Sequence, residues 1–249
     1  MPCGQGPKGR NIGGFPRLAL AISQVQTEMI AGRGRDRGMA ATIITVAQQK
    51  GGAGKTTLAA NLAIAYAQAN NKVAVVDIDP QRSLTMWHAL RQALHGEDSG
   101  ITVVPVGGWK LATALDQLRR DHDIVVIDSP PHAETDARIA VRQAQIVVIP
   151  VQPSPMDVWA TEPILAVAQK EKAPVLLVLN RVPPRANLTE DMMFEIKDYG
   201  ARIATARIGN RVAFAGAMLK GLGVTEHQPQ GRAAQEIRAL SKEILKAAG

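Results

Sequence analysis

The chain is 249 residues long, 46% hydrophobic and 20% charged, with a formal net charge of +7. That length suits one α/β core of about 200 residues, and the single cysteine, Cys3, excludes internal disulfides and paired-cysteine metal or iron–sulfur sites. No apolar run approaches the roughly 18 residues that a membrane-spanning helix requires.

The first 38 residues read unlike the rest. They are rich in glycine, include Gly32-Arg33-Gly34-Arg35-Asp36-Arg37-Gly38, and hold six Lys/Arg against two Asp/Glu. More than half of the net charge therefore lies in this segment, and the remainder carries only +3. Global charge is then a weak guide to nucleic-acid binding. Leu18 to Ile30 has the pattern of a short amphipathic helix, but nothing obliges it to form. The segment lacks the apolar stretch of a signal peptide and is too short and irregular for a helix-turn-helix. We read 1–38 as a disordered basic tail or an over-extended start, with Met39 as the alternative initiator, and 39–249 as a single domain.

The apolar run Thr42 to Ala47 predicts a first strand. Lys50-Gly51-Gly52-Ala53-Gly54-Lys55-Thr56-Thr57 follows, and Leu58 to Ala69 predicts a helix. Strand, glycine loop and helix is the context of a phosphate-binding loop. Glycines let backbone N–H groups close around phosphate oxygens, and the helix N-terminus adds partial positive charge. In such a loop Lys55 holds the β- and γ-phosphates and the Thr56 hydroxyl ligates Mg²⁺. Lys72 to Val76 predicts a second strand, ending in Asp77-Ile78-Asp79-Pro80-Gln81.

Thr102 to Val106 predicts a short strand, and Trp109 to Arg120 a helix with Leu111, Leu115 and Leu118 on one face. Ile124 to Ile127 predicts a strand ending in Asp128-Ser129-Pro130-Pro131. Gln145 to Val151 and Val175 to Leu179 predict two more, the latter ending at Asn180-Arg181, and Ala201 to Ile208 a last one. Continuous β-branched runs of this kind suit strands buried on both faces of a parallel sheet. The fold class is α/β, a doubly wound and mostly parallel sheet flanked by helices, in which ligands bind at the carboxyl ends of the strands. Asp77, Asp79 and Asp128 fall at such ends. A lone aspartate there serves equally well as a helix cap or turn residue; two of them in order behind a phosphate loop point to a metal-assisted site.

These motifs resemble the deviant Walker A loop of the ParA/MinD family of ATPases. The resemblance rests on Lys50 immediately ahead of the glycine loop and on the two aspartate motifs, and extends from Thr42 to Leu245. It implies ATP and Mg²⁺ as cofactors, with the nucleotide held by Lys50, Gly51, Gly52, Ala53, Gly54, Lys55, Thr56 and Thr57. Asp128 then corresponds to the Walker B aspartate beside the metal, Asp77 to support in its outer coordination sphere, and Asp79 to the residue that prepares the attacking water. Lys50, Lys55 and Asp79 are the implied catalytic residues. Asn180 and Arg181 correspond to the dipeptide beside adenine, whose edges an amide can pair. Ile149 to Asp157 and Ile208 to Phe214 resemble small plasmid-partition ATPases of the ParF type.

The same resemblance implies an ATP-dependent homodimer in which Lys50 completes the partner's phosphate site. It also implies non-specific DNA binding, a ParB/ParG-like or cargo adaptor that stimulates slow hydrolysis, and a cytoplasmic protein that joins the nucleoid when ATP-bound. Arg202, Arg207, Arg211 and Lys220, in a span free of acidic residues between Ala201 and Thr225, are the candidate DNA contacts; a solvated basic surface is the alternative. The last helix, Ala233 to Ala247, carries an apolar stripe of Ile237, Leu240, Ile244 and Leu245. A MinD-like membrane contact needs more cations and aromatics than it has, so packing against the sheet is the expectation. A membrane-cycling regulator and an ATP-dependent metabolic ligase of the same fold remain the alternatives.

Overall fold

The apolar runs pair into one seven-stranded sheet in the computed structural model, which describes residues 41–249 except 97–98, 132–133, 185–195 and 198. The expected tail 1–38 lies outside the described residues. The strands are β1 (Thr42–Val46), β2 (Val73–Asp77), β3 (Thr102–Pro105), β4 (Ile124–Asp128), β5 (Ile146–Val151), β6 (Val175–Leu179) and β7 (Arg202–Ile203). Their order is β3-β2-β4-β1-β5-β6-β7, with every pairing parallel. The four central strands, β2, β4, β1 and β5, are made almost wholly of Val, Ile, Ala and Thr and are buried on both faces, as parallel strands covered by helices must be.

The helices α1 (Lys55–Gln68), α2 (Ser83–His95), α3 (Leu111–Asp121), α4 (Glu134–Gln143), α5 (Pro155–Trp159), α6 (Glu162–Lys170), α7 (Val212–Met218), α8 (Val224–His227) and α9 (Arg232–Ala248) complete the described chain. The doubly wound sheet expected from the sequence is therefore the observed architecture. Leu111, Leu115 and Leu118 of α3 are buried as the periodicity requires, although the segment opens with one tight turn at Gly108–Lys110 before α3 proper.

One expected element differs. The predicted strand Ala201 to Ile208 is regular only at Arg202–Ile203. The carboxylate of Glu243, reaching across from α9, accepts the backbone N–H groups of Thr205 and Ala206. Those donors are thereby turned away from a ladder, and pairing resumes at Ile208, whose N–H donates to the Leu179 carbonyl and whose carbonyl accepts the Val182 N–H.

The stripe on α9 is core. Ile237, Leu240 and Ile244 are fully buried in a cluster with Leu58, Leu62 and Tyr66 of α1, and the Tyr66 hydroxyl donates to the Ser241 carbonyl at 3.1 Å. The apolar face that a membrane contact would use is occupied by the protein's own body, and among the described residues no helix is long and apolar enough to cross a membrane. Ile237→Ala is expected to lose roughly 2–5 kcal/mol of unfolding free energy, measured by urea denaturation; a loss below about 1 kcal/mol would mean that α9 is only loosely docked.

Candidate nucleotide site

Strand register sets the site. Val46 of β1 and Asp77 of β2 both lie opposite Asp128 of β4, so three carboxyl ends stand level in the middle of the sheet. The loop that leaves β1 arches over them. Gly52 and Gly54 take left-handed backbone (φ 78° and 89°), and at Gly54 a Cβ would lie 2.7 Å from Nδ2 of Asn180. Glycine is required there both for its φ and for that contact. The loop then runs directly into α1 at Lys55.

The loop is braced from the neighbouring strands. Asn180, at the end of β6, donates through Nδ2 to the Ala53 carbonyl at 2.7 Å and accepts the N–H of Arg181 through Oδ1. Its amide thus supports the phosphate loop rather than standing free for a base edge; Arg181 itself is exposed, with φ 54°. Gln48 fastens the loop's beginning, donating to the Thr161 hydroxyl at 3.1 Å and accepting the Gln49 N–H at 2.8 Å.

The two lysines are placed very differently. Lys55 is buried, and its Nζ lies 3.5 Å from the Lys50 carbonyl. Burial lowers its pKa, while Asp128 and Asp79 act in the opposite direction. Lys50 keeps about a third of its side chain exposed, and its ammonium donates to Asp157 Oδ2 at 2.6 Å. Asp157 lies on α5, whose N-terminus is capped by Ser154; that hydroxyl also donates to the Asp157 carboxylate. Gln152 donates to Asp157 Oδ1 at 3.3 Å and lies 3.5 Å from the Gly52 carbonyl. Asp157, Ser154 and Gln152 are site residues that sequence reasoning did not assign. A lone acid in a proline-rich stretch names no partner until β5 is set beside the phosphate loop.

The carboxylates divide their roles. Asp77 is fully buried, accepting the Asp79 N–H through Oδ1 and both the N–H and the hydroxyl of Thr85 through Oδ2, at 3.0 and 2.6 Å. Thr85 is in the first turn of α2, so Asp77 caps that helix from outside it. Asp79 Oδ1 accepts the Gln81 N–H at 2.9 Å, closing the turn before α2. Asp128 is the exception. Among the described residues neither of its buried oxygens meets a donor in good hydrogen-bond geometry, and burial pushes its pKa up to about 7, against the pull of the nearby Thr56 hydroxyl and of Lys55. A buried carboxylate left unpaired is costly. Set beside Thr56, Asp128 fits a hard divalent cation held by few protein ligands.

A sequence model of the CobQ/CobB/MinD/ParA nucleotide binding domain matches residues 44–224. The chain belongs to this family. It is 30% identical over 215 residues to maintenance of carboxysome distribution protein A of Halothiobacillus neapolitanus, covering 81% of this chain and 95% of the relative. It is 28% identical over 235 residues to the chromosome-partitioning ATPase Soj of Thermus thermophilus, covering 81% and 94%. The fold matches that of the septum site-determining protein MinD of Pyrococcus horikoshii complexed with Mg-ADP, at TM-score 0.69, 22% identity and coverage of 84% and 98%.

The basic residues proposed for this MinD/ParA-type chain differ in how far their charge is already paired. Arg202 and Lys220 are exposed. Arg207 is exposed as well. Arg211 is committed to Glu236 of α9 through both Nε and Nη2, and that hydrogen bonding holds its pKa above the ordinary value. Glu236 also accepts the Gly209 N–H, so Arg211 fastens the turn into α7.

The raised pKa of Asp128 has a stability consequence. The folded state keeps its proton up to about pH 7, whereas the unfolded chain releases it near pH 4. The favourable contribution is complete below the unfolded value and is lost as pH rises through 7. Asp128→Asn is therefore expected to gain Tm over the unliganded wild type by about 5 °C more at pH 8 than at pH 5. A difference independent of pH, read by thermal scans, would mean that Asp128 titrates normally.

Proposed function

We propose that the chain is a ParA-type ATPase that forms an ATP-dependent sandwich dimer, binds DNA without sequence preference, and segregates or positions a cargo through partner-stimulated hydrolysis. One observation carries this reading. Lys50 stands at the front of the phosphate loop with part of its side chain exposed and its ammonium on Asp157, while Lys55 alone occupies the buried position behind the loop. A second cation that does not serve its own loop suits a role toward another subunit.

ATP is the substrate of this reading, and the loop, Lys55 and the N-terminus of α1 bind its phosphates. Mg²⁺, held by Thr56 and Asp128, supplies charge neutralisation at the phosphate oxygens. Lys55 holds the transferring phosphate, and Lys50, released from Asp157, brings a further positive charge to the partner's phosphates. Asp79, beside the turn that leads into α2, orients the attacking water. Asp77 supports the metal's outer coordination sphere while keeping α2 capped. Arg181 remains the candidate at the base end, with Asn180 holding the loop that faces it.

The names of the relatives span two classes of cargo, a protein assembly in carboxysome distribution and a chromosome in partitioning. An adaptor of the ParB/ParG kind is the expected stimulating partner, and a cytoplasmic, nucleoid-associated location follows from DNA binding. The exposed Lys220 and Arg202 are better placed for phosphate contact than Arg211, whose charge is already paired.

The deciding experiment measures binding of the protein to non-specific duplex DNA with ATP, with ADP and without nucleotide. Binding with ATP alone, lost in Lys50→Ala while ATP affinity is retained, supports the partition-type switch; no DNA binding in any state overturns it. Lys55→Ala is expected to abolish nucleotide binding, and Asp79→Ala to retain ATP with at least tenfold slower hydrolysis. Wild-type turnover in Asp79→Ala would remove that role. Lys220→Ala should weaken binding to unrelated DNA sequences equally and reduce the slope of log K against log salt by about 1. Arg211→Ala should instead lower Tm, through loss of its Glu236 pair, and a lowered salt slope in that variant would restore it to the contact set.

A further inference from the structure

The connector between α7 and α8, Leu219 to Gly223, carries the exposed Lys220 and, with the start of α8, is tied at several points to the two helices that start in the nucleotide site. On one side is α2, whose N-terminus is capped by Asp77. Arg91 of α2 is buried and donates through Nη1 to the Gly221 carbonyl at 3.0 Å and to Glu226 Oε2 at 2.8 Å, and through Nη2 to Glu226 Oε1 at 2.7 Å. His95, one turn further along α2, is bonded to the Lys220 carbonyl at 2.8 Å. Gly221 has φ +65°, and a Cβ on it would lie 2.6 Å from Cα of Arg91, so the connector lies flat against the α2 backbone.

On the other side is α1, which begins at the phosphate loop. Asn61 donates to the Thr57 carbonyl at 2.7 Å and accepts the N–H of Val224 at 2.8 Å. Glu226 closes the arrangement by accepting the Gly223 N–H at 2.9 Å. A solvent-open pocket of about 200 Å³ lies beside these ties, lined by Ile64, Ala67 and Gln68 of α1, Arg91 of α2, the Ser99–Gly100 segment, and Glu226. α1 and α2 leave this pocket between them; α2 is bonded to the connector itself, and α1 is bonded through Asn61 to Val224, the first residue of α8.

We propose that the connector reads the relative position of α1 and α2, and that Arg91 and His95 are positioning residues through which nucleotide occupancy sets the placement of Lys220. A helix is stiff along its axis, so a displacement at Asp77 or at the phosphate loop travels the length of α1 or α2. A buried bidentate guanidinium–carboxylate pair transmits direction as well as distance. The open space between the helices admits the movement, and the two sets of bonds convert it into a shift of the connector. The bearing on DNA rests on the reading given above; the coupling itself does not.

Amide hydrogen–deuterium exchange of Leu219 to His227 tests this in the full chain, with and without Mg²⁺ and a non-hydrolysable ATP analogue. The wild type is expected to change its exchange rate there at least twofold on nucleotide binding. Arg91→Lys, which keeps the charge and loses the fork, should lose most of that change while its affinity for the analogue stays within about twofold. His95→Ala, at an exposed contact, gives the same readout should Arg91→Lys fold poorly. An unchanged rate in the wild type, or a full response in a folded variant, overturns the relay. A response lost in the variants supports it even if the wild type binds no DNA, an outcome that overturns only the partition reading.

Discussion

Two carboxylates, Asp77 and Asp128, face each other across adjacent strands where the sheet has excluded water, and the handling of their charge organises everything around them. Asp77 is satisfied by backbone and hydroxyl donors of the following segment, and the bonds that satisfy it also start α2. Asp128 receives no such donors. Its neighbours are the Thr56 hydroxyl, the buried Lys55 ammonium and the carboxylates of Asp77 and Asp79. The asymmetry leaves one carboxylate built into the frame and the other available to a cation.

The same division runs through the basic groups. Lys55 is held inside, its charge compensated at a distance by Asp79 and Asp128. Lys50 is held at the rim by an acid that is itself supported by Ser154 and Gln152. Arg211 is fixed by Glu236, and Arg91 by Glu226. Arg211 and Arg91 are thus tied by two or more hydrogen bonds, whereas among the described residues Lys50 has a single ammonium contact, which a competing anion can displace.

Much of this was legible in the residues. The glycine loop with its two lysines, the aspartates at strand ends and the leucines of α3 are local patterns, and each maps onto the expected place. Less legible was whatever depends on distant pairing. α2 went unread because only Leu84, Trp87 and Arg91 of its thirteen residues are buried, and an arginine in the core breaks the apolar period. The last strand was over-read because nothing in Ala201 to Ile208 announces that Glu243 will take its amides. Asn180 was recognised by its position, yet its bond to Ala53 appears only once β6 stands behind the phosphate loop. Asp157 and Glu226 likewise acquire meaning from contacts more than one hundred residues away in sequence.

The interruption of β7 also bears on how the protein behaves in concentrated solution. A parallel sheet ends in two strands with an unpaired side, and a long flat one invites strands from other chains. Here β7 is two residues long, and the amides just beyond it are already bound by Glu243. At the opposite margin β3 has four residues and finishes at Pro105, which lacks an amide proton. Both margins are therefore poor templates for adventitious strand addition. The sheet thus stays a closed unit at both ends, and crowding alone gives other chains little backbone to extend.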